Sequence, residues 1–354
     1  MLIEDIDRLE VAVRVAERIT EELEKPFLLE GKELFASSSI GIGVGNAWTK
    51  TPEGLLRDAD TAMYRVKEEG GDFRVFDPTM YERARGRLEL EGDLRRTLED
   101  PYDQLSVFYQ PMASIRTGEI VGMEALVRWD HPEQGRLTPS GFIPMAEETG
   151  LIVPMGQWVL GEACRCAKEW RERYPEKTKL TMAVNLSARQ LRYPELVGEV
   201  EETLRQVDLD PARLTLEITE SVLVEVGGSS TWVLGRLKEL GVQLAIDDFG
   251  VGYSSLSYLR YLPVDRLKLD RVLVRNMDKD RTNLAIVRAA VDLGHALSIE
   301  VVAEGVERQE EFEELHKLGC DVGQGNYWWS ARPPGEAEEL LASSLPPRPD
   351  RRTR

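Results

Sequence analysis

Apolar residues recur at helical spacing through residues 6–23, at Leu9, Val13, Ala16, Ile19 and Leu23, and predict an amphipathic helix. Phe27–Leu29, a turn at Gly31 and residues 34–44 read as a hairpin-like pair of strands. Thr51-Pro52-Glu53 then opens a second helix that runs through Val66 and ends near Gly70-Gly71. Residues 73–76 supply a short strand. Residues 1–77 thus form a small α/β piece. Leu88, Leu90, Leu94 and Leu98 make a helical stripe within the charged residues 78–103, read as a connecting helix in preference to a solvated linker.

From about residue 104 the pattern changes. Short apolar runs occupy 106–109, 120–129, 180–186, 214–218, Gln243–Phe249, Arg266–Leu269, 299–303 and 321–328. Helical patterns at 156–174, 194–207, 231–240, 282–297 and 307–318 separate most of them. Eight strand-like runs alternating with helices predict a (β/α)8 barrel over residues 104–345, with a doubly wound open sheet as the competing fold. Residues 346–354 read as a disordered tail.

Polar residues fall at or near the C-terminal ends of these runs: Glu124, Asn185, Glu217, Asp247 with Asp248, Lys268 with Asp270, Glu304 and Gln324. In a barrel those ends converge on one mouth. Singly, each carboxylate reads equally as a helix N-cap. Together they repel one another unless protons or cations compensate them. Glu124, Asn185, Glu217, Asp247, Asp248 and Glu304 are hard oxygen donors with no cysteine among them, a set suited to Mg²⁺, Mn²⁺ or Ca²⁺. The adjacent pair Asp247-Asp248 suits two ions, the clamp used for in-line attack at phosphorus. Gly250 and Gly252 give the following loop backbone freedom. Lys268 is a candidate donor to a water or phosphate oxygen, or else a salt-bridge partner of Asp270 or a neighbour. Arg128 is a candidate phosphate fork, or else a surface ion pair.

The 354 residues carry 45 Lys plus Arg against 63 Asp plus Glu, a formal charge of −18. That balance argues against a nucleic-acid polymer held on a basic surface. No apolar run reaches the ~20 residues of a membrane span, and the acidic start lacks the basic region of a secretory signal. Three cysteines are too few for a disulfide framework, so a cytoplasmic location is expected.

Glu124-Ala125-Leu126-Val127-Arg128-Trp129 resembles the signature of EAL-domain cyclic-di-GMP phosphodiesterases. Supporting matches are Tyr109-Gln110-Pro111, Phe142-Ile143-Pro144, Val184 to Ser187, Glu217 to Glu220, Asp247 to Leu256, Leu267 to Arg271 and Glu300 to Glu307. The resemblance covers residues 90–340. It implies a modified TIM barrel that linearises cyclic-di-GMP to pGpG with two Mg²⁺ or Mn²⁺ ions and is inhibited by Ca²⁺. It implies that Glu124, Asn185, Glu217 and Asp247 hold one ion, and that Asp247, Asp248 and Glu304 hold the other. Lys268 would orient the hydrolytic water and Glu220 would pin the loop after Asp248. Gln110, Leu126, Arg128, Asp270, Glu307 and Gln324 would face substrate. A homodimer through the barrel is implied as well.

Three departures stand out. Val251 replaces a Thr usual in the loop, Leu273 stands where Phe is common, and the segment from Gln324 to Pro333 is about one residue longer than the family's pattern. The pair Trp328-Trp329 in that segment reads as core rather than substrate-stacking. Residues 1–77 resemble the C-terminal half of a GGDEF (diguanylate cyclase) domain, through Ser39 to Gly43 and Asp58 to Lys67. The GGDEF signature itself is absent, so no cyclase activity is expected. The segment reads as a truncation or as an adaptor remnant, mobile or partner-dependent. Two other functions compete with the phosphodiesterase: a cyclic-di-GMP receptor that signals to a partner protein, and a lyase using Lys268 as a Schiff base.

Overall fold

The computed structural model describes residues 1–343, apart from 5, 7, 30, 31, 35, 46–50, 221, 223–227, 251–258, 260 and 261. The loop glycine Gly252, Val251 and the tail 346–354 lie outside the described residues. The chain divides into two compact units, Met1–Asp93 and Leu94–Arg354, with the division inside the helix Thr79–Thr97.

In the first unit the helix Leu9–Leu23 buries Ala12, Ala16 and Thr20. Strands β1 (Phe27–Leu29) and β2 (Lys32–Leu34) pair antiparallel. The strand expected over 34–44 divides, because the polar run Ser37-Ser38-Ser39 breaks the apolar pattern. Its second part, β3 (Ile40–Ile42), pairs parallel with β4 (Phe73–Val75). The helix Pro52–Glu69 supplies the crossover between them, capped by Thr51, whose hydroxyl accepts from Gly54 N at 3.2 Å.

The second unit is a closed barrel. Its strands are β5 (Leu105–Ser114), β6 (Ile120–His131), β8 (Thr181–Leu186), β9 (Leu214–Thr219), β10 (Gln243–Phe249), β11 (Arg266–Leu269), β12 (Glu300–Ala303) and β13 (Val322–Gln324), with β7 (Gly135–Leu137) paired onto β6 outside the ring. They run in the order β5-β13-β12-β11-β10-β9-β8-β6, and β6 pairs back with β5. Strands β6 and β8 to β13 are mutually parallel where they pair, whereas β5 is antiparallel to both neighbours. A parallel connection needs about a dozen residues or more. Only residues 115–119 separate β5 from β6, so that link is a hairpin, and the ring is a modified TIM barrel with its first strand reversed. The last strand is also shorter than residues 321–328, ending at Gln324.

Strand alternation puts every second residue inside the ring. Near the N-terminal ends of the parallel strands, Arg266 donates to Thr181 Oγ1 at 3.0 Å, Thr215 Oγ1 at 3.1 Å and Glu300 Oε2 at 2.6 Å. Above this polar layer lies an apolar one of Met112, Ala183, Val302 and Val322. Asn185, Glu304 and Gln324 follow Ala183, Val302 and Val322 by two residues, Glu217 and Lys268 follow Thr215 and Arg266 by two, and Glu124 and Asp247 stand towards the same end of β6 and β10. Outside the ring, helices such as Ile152–Arg173 seal the strands with Met155, Leu160, Ala163 and Trp170. Trp328 and Trp329 are both buried, Trp328 edge-on to Phe312 and Tyr327. The three cysteines are unpaired. No helix among the described residues is long and apolar enough to cross a membrane.

Candidate active site

The barrel mouth gathers side chains from seven strands into one hydrogen-bonded set. Gln324 Nε2 on β13 donates to Glu124 Oε2 on β6 at 2.6 Å and to Gln110 Oε1 on β5 at 3.2 Å. Asn185 Nδ2 on β8 donates to Glu124 Oε1 at 2.8 Å. Gln110 Nε2 in turn donates to the Trp329 carbonyl at 3.2 Å. Both oxygens of Glu124 are therefore held, and the Asn185 carbonyl oxygen remains as that residue's acceptor.

Lys268, only 1 % exposed, stands at the centre of the carboxylates. Its Nζ lies 2.6 Å from Glu217 Oε2, 2.6 Å from Glu304 Oε1, 3.4 Å from Asp247 Oδ1 and 3.6 Å from Glu124 Oε2. Burial alone would lower the ammonium's pKa, but the four carboxylates outweigh it and hold Lys268 charged. One positive charge does not balance four negative ones. Burial, helped by Glu124, Asp247 and Glu304 and opposed by Lys268, pushes Glu217 well above the usual carboxylate range. Burial likewise pushes Glu304 up to about 8. Glu124 is opposite in sign: burial raises it, yet Lys268, Gln324 and Asn185 prevail and keep it low. At neutral pH the set is short of positive charge, the condition that draws in protons or cations.

The adjacent carboxylates Asp247 and Asp248 both serve this mouth because β10 bulges. Ile246 pairs with Leu267 and Phe249 with Leu269, so β10 carries one extra residue across that step. Asp248 takes up the irregularity at φ 55°, a left-handed backbone rare outside Gly, Asn and Asp. In a regular strand the two carboxylates would face opposite sides. Here ligand oxygens of Asp247, Asp248 and Glu304 all lie within 4.8 Å of one another. Burial, then Asp247 and Asp270, push Asp248 up to about 6. These oxygen donors, crowded and undercompensated, fit a hard divalent cation such as Mg²⁺ or Mn²⁺. The buried Gln324 Oε1 has no hydrogen-bond partner among the described residues and so remains an acceptor beside Glu124.

The remaining candidates fall around that centre. Glu220 Oε2 accepts from Gly250 N at 3.2 Å, tying the start of the loop after β10 to the end of β9. Gly250 has φ +98°, and a Cβ there would lie 2.4 Å from Leu273 Cδ1. Leu273 is thus buried against Gly250. Asp270 caps the helix Arg271–Val274 by accepting from Val272 N at 2.6 Å and hydrogen-bonds Asp248. Leu126 and Arg128 line β6 beyond Glu124 on the same face. Arg128 Nη1 donates to the Val127 carbonyl at 2.9 Å, outside the carboxylate set. Glu307 is exposed, and its backbone N–H donates to Glu311 Oε2 at 3.0 Å.

Sequence reasoning missed Glu311. Its carboxylate is 1 % exposed and accepts from Asn276 N, Glu307 N, Arg308 N and Arg308 Nε at 3.0–3.1 Å. It joins the segment after β12, which carries Glu304, to the turn at Asn276. Gly305 within that segment has φ +65°, and a Cβ there would lie 2.4 Å from Arg271 Cβ. The helix starts at Gln309, two residues later than the predicted 307–318, which puts Glu311 at its third position, where a carboxylate reaches the N–H groups of the helix start.

The family model for the EAL domain matches residues 91–333, and that for the diguanylate cyclase GGDEF domain matches residues 1–72. The chain is 40 % identical over 333 residues to the bifunctional diguanylate cyclase/cyclic di-GMP phosphodiesterase MucR of Pseudomonas aeruginosa, covering 94 % of this chain and 48 % of that protein. It is 41 % identical over 312 residues to the cyclic di-GMP phosphodiesterase PdeR of Escherichia coli, covering 88 % of this chain and 46 % of that protein. The chain thus spans about half the length of these relatives. A solved structure of the MucR phosphodiesterase in complex with c-di-GMP superposes with a TM-score of 0.67 at 42 % identity, over 70 % of this chain and 99 % of that one. The conclusion from ring, mouth and match together is that this chain belongs to the EAL domain family, with a GGDEF-domain segment ahead of its barrel.

Proposed function

We propose that the barrel is a divalent-metal-dependent phosphodiesterase that opens cyclic-di-GMP to pGpG. The observation that carries this reading is the mouth itself: four carboxylates around one ammonium, with Asp248 and Asn185 alongside, in a family whose relatives MucR and PdeR bear that activity in their names. Glu124, Asn185, Glu217 and Asp247 would hold one cation, and Asp247, Asp248 and Glu304 a second. Cations held there would supply positive charge to the phosphate and acidify an attacking water.

The chain's own groups do the positioning. Lys268 has three N–H donors, two of them taken by Glu217 and Glu304 at 2.6 Å, and directs the third at the water or a phosphate oxygen. Gln324, itself held by Gln110, fixes Glu124, and its buried Oε1 is left to accept from an ordered water. Glu220 holds the Gly250 backbone, and Arg128 offers a planar fork to a phosphate. In the reaction the water oxygen joins phosphorus, the bond from phosphorus to the 3′ oxygen breaks, and that oxygen leaves with a proton, giving the 5′-phosphate of pGpG. Residues 1–72 contain no Gly-Gly-Asp-Glu-Phe run and take no part as a cyclase.

Incubation with cyclic-di-GMP and Mg²⁺ or Mn²⁺, followed by chromatography, tests this. Wild-type protein releases pGpG, and Glu124→Ala releases none while keeping the far-UV signature of the fold. Binding of cyclic-di-GMP without turnover would replace the enzyme by a receptor.

A further inference from the structure

A second feature lies on the rim of the same mouth. Register places it: Gln110 pairs with Glu124, Phe108 with Leu126 and Ser106 with Arg128 on β5 and β6, and Asp130 pairs with Arg136 on β6 and β7. Paired residues share a face and alternate residues repeat it. Arg136 therefore sits on the face that carries Glu124, Leu126 and Arg128. Side-chain geometry agrees. The Arg136 guanidinium carbon stands 5.0 Å from the centroid of the Phe108 ring and that of Arg128 stands 5.4 Å from it. Two cations thus share one aromatic ring at the edge of an acidic mouth, in a chain of net charge −18.

Strand β7 is not needed to close the ring, since β5 and β6 pair directly. What its three residues do is hold Arg136 over the mouth-facing side of the β5–β6 hairpin. The ion pair of Arg136 with Asp130, Nε to Oδ1 at 2.6 Å, leaves both side chains substantially exposed, 54 % and 41 %. Such a pair contributes little and yields readily to a stronger anion. Burial lowers the pKa of Arg128, Glu124 raises it and Arg136 lowers it again, so the mouth carboxylate and the second arginine both reach it electrostatically.

Building on the phosphodiesterase reading, we propose that Arg136 is a substrate-specificity residue: with Arg128 and Phe108 it forms a cationic, aromatic rim that grips the part of the cyclic dinucleotide remote from the bond that breaks. An arginine fork matches both partners such a ligand offers there, a phosphate or the O6/N7 edge of guanine. The residue recognises the dinucleotide and leaves the hydrolytic centre to the carboxylates.

The test compares cyclic-di-GMP with bis(p-nitrophenyl) phosphate, a small diester that fills the centre without reaching the rim, using the full chain and Mn²⁺. Arg136→Ala should raise KM for cyclic-di-GMP about tenfold, equivalent to about 1.4 kcal/mol, with kcat changed less than twofold. KM for the small diester should change less than twofold. Arg136→Lys, which keeps the charge and loses the fork, should fall between. Arg205→Ala removes an exposed arginine of a comparable ion pair with Glu202, controls for net charge, and should move neither substrate. The thermal midpoint of each variant checks folding. A change below twofold for cyclic-di-GMP, an equal change for both substrates, or the same loss in Arg205→Ala overturns the rim contact. If the wild-type chain binds cyclic-di-GMP without cleaving it, the reaction is wrong and equilibrium dialysis decides the rim: a tenfold weaker Kd in Arg136→Ala supports it and an unchanged Kd overturns it. No binding at all overturns both.

Discussion

Lys268→Met is the sharpest perturbation of the mouth. It keeps a side chain of similar length and deletes the cation that four carboxylates share, two of them at 2.6 Å. Removing one partner of a buried ion pair costs about 3–5 kcal/mol, because the remaining charge is left uncompensated. For a unit of this size that is a fall in thermal midpoint of about 10 °C. The cost must depend on pH, since the orphaned carboxylates can bind protons instead. Glu217 and Glu304 already lie above their unfolded values, Glu304 at about 8, against an unfolded carboxylate near ~4.3. A group with a raised folded-state pKa gives stability that is complete below the unfolded value and is lost as pH rises through the folded one. Without the ammonium Glu124 is no longer held low and Glu217 and Glu304 rise further, so the deficit of the variant should be smallest in acid, grow through neutral pH and still be growing above pH 8. The assay is urea unfolding of EDTA-treated protein at pH 5 and pH 8.5, followed by the fluorescence of the buried barrel residues Trp129 and Trp170. A deficit below 1 kcal/mol at pH 8.5, or one that does not shrink on acidification, would refute the charge argument.

Further outcomes follow from the same geometry. Glu311 is raised by burial but lowered overall by the backbone N–H groups of Asn276, Glu307 and Arg308, so its contribution exists above the unfolded carboxylate pKa and is lost as pH falls through the folded one. Glu311→Gln should cost about 1–3 kcal/mol at pH 7 and progressively less as pH falls below the unfolded carboxylate value of about 4.3, read by urea unfolding across that range. Gly305→Ala forces a methyl group against Arg271 at positive φ. It should cost about 1–3 kcal/mol and, by displacing Glu304, lower kcat at least tenfold. Mn²⁺ should raise the thermal midpoint of the wild type by mass action and leave Asp247→Asn unmoved, with EDTA reversing the shift.

The barrel was legible because its strands bury both faces and read as short apolar runs, and because polar residues at their ends break those runs at regular positions. The reversed β5 was less legible, since its direction depends on the five-residue link to β6 and not on its own apolar pattern. In the first unit, residues 34–44 contain enough apolar positions for one strand, and only the pairing of Ile40–Ile42 with Phe73–Val75 separates them. At the mouth, the residue types could be named from the chain but their partners could not. Lys268 has Asp270 two residues away, yet its ion pairs go to four carboxylates at the ends of other strands. The bulge at Asp247-Asp248 is a register mismatch between two strands, which neither strand displays alone. Glu311 and Arg136 looked like ordinary charges on a helix and beside a turn, because burial and ring contact are properties of the packed molecule.

If this oxygen-lined mouth drives water onto phosphorus, the new oxygen in the product comes from the solvent. Turnover of cyclic-di-GMP in ¹⁸O-enriched water, with the product analysed by mass spectrometry, addresses it directly. The expected result is pGpG carrying one ¹⁸O in its 5′-phosphate from the wild type, and untouched substrate from Asp247→Asn. Intact cyclic-di-GMP with wild-type protein and Mn²⁺, or pGpG without the label, would contradict it.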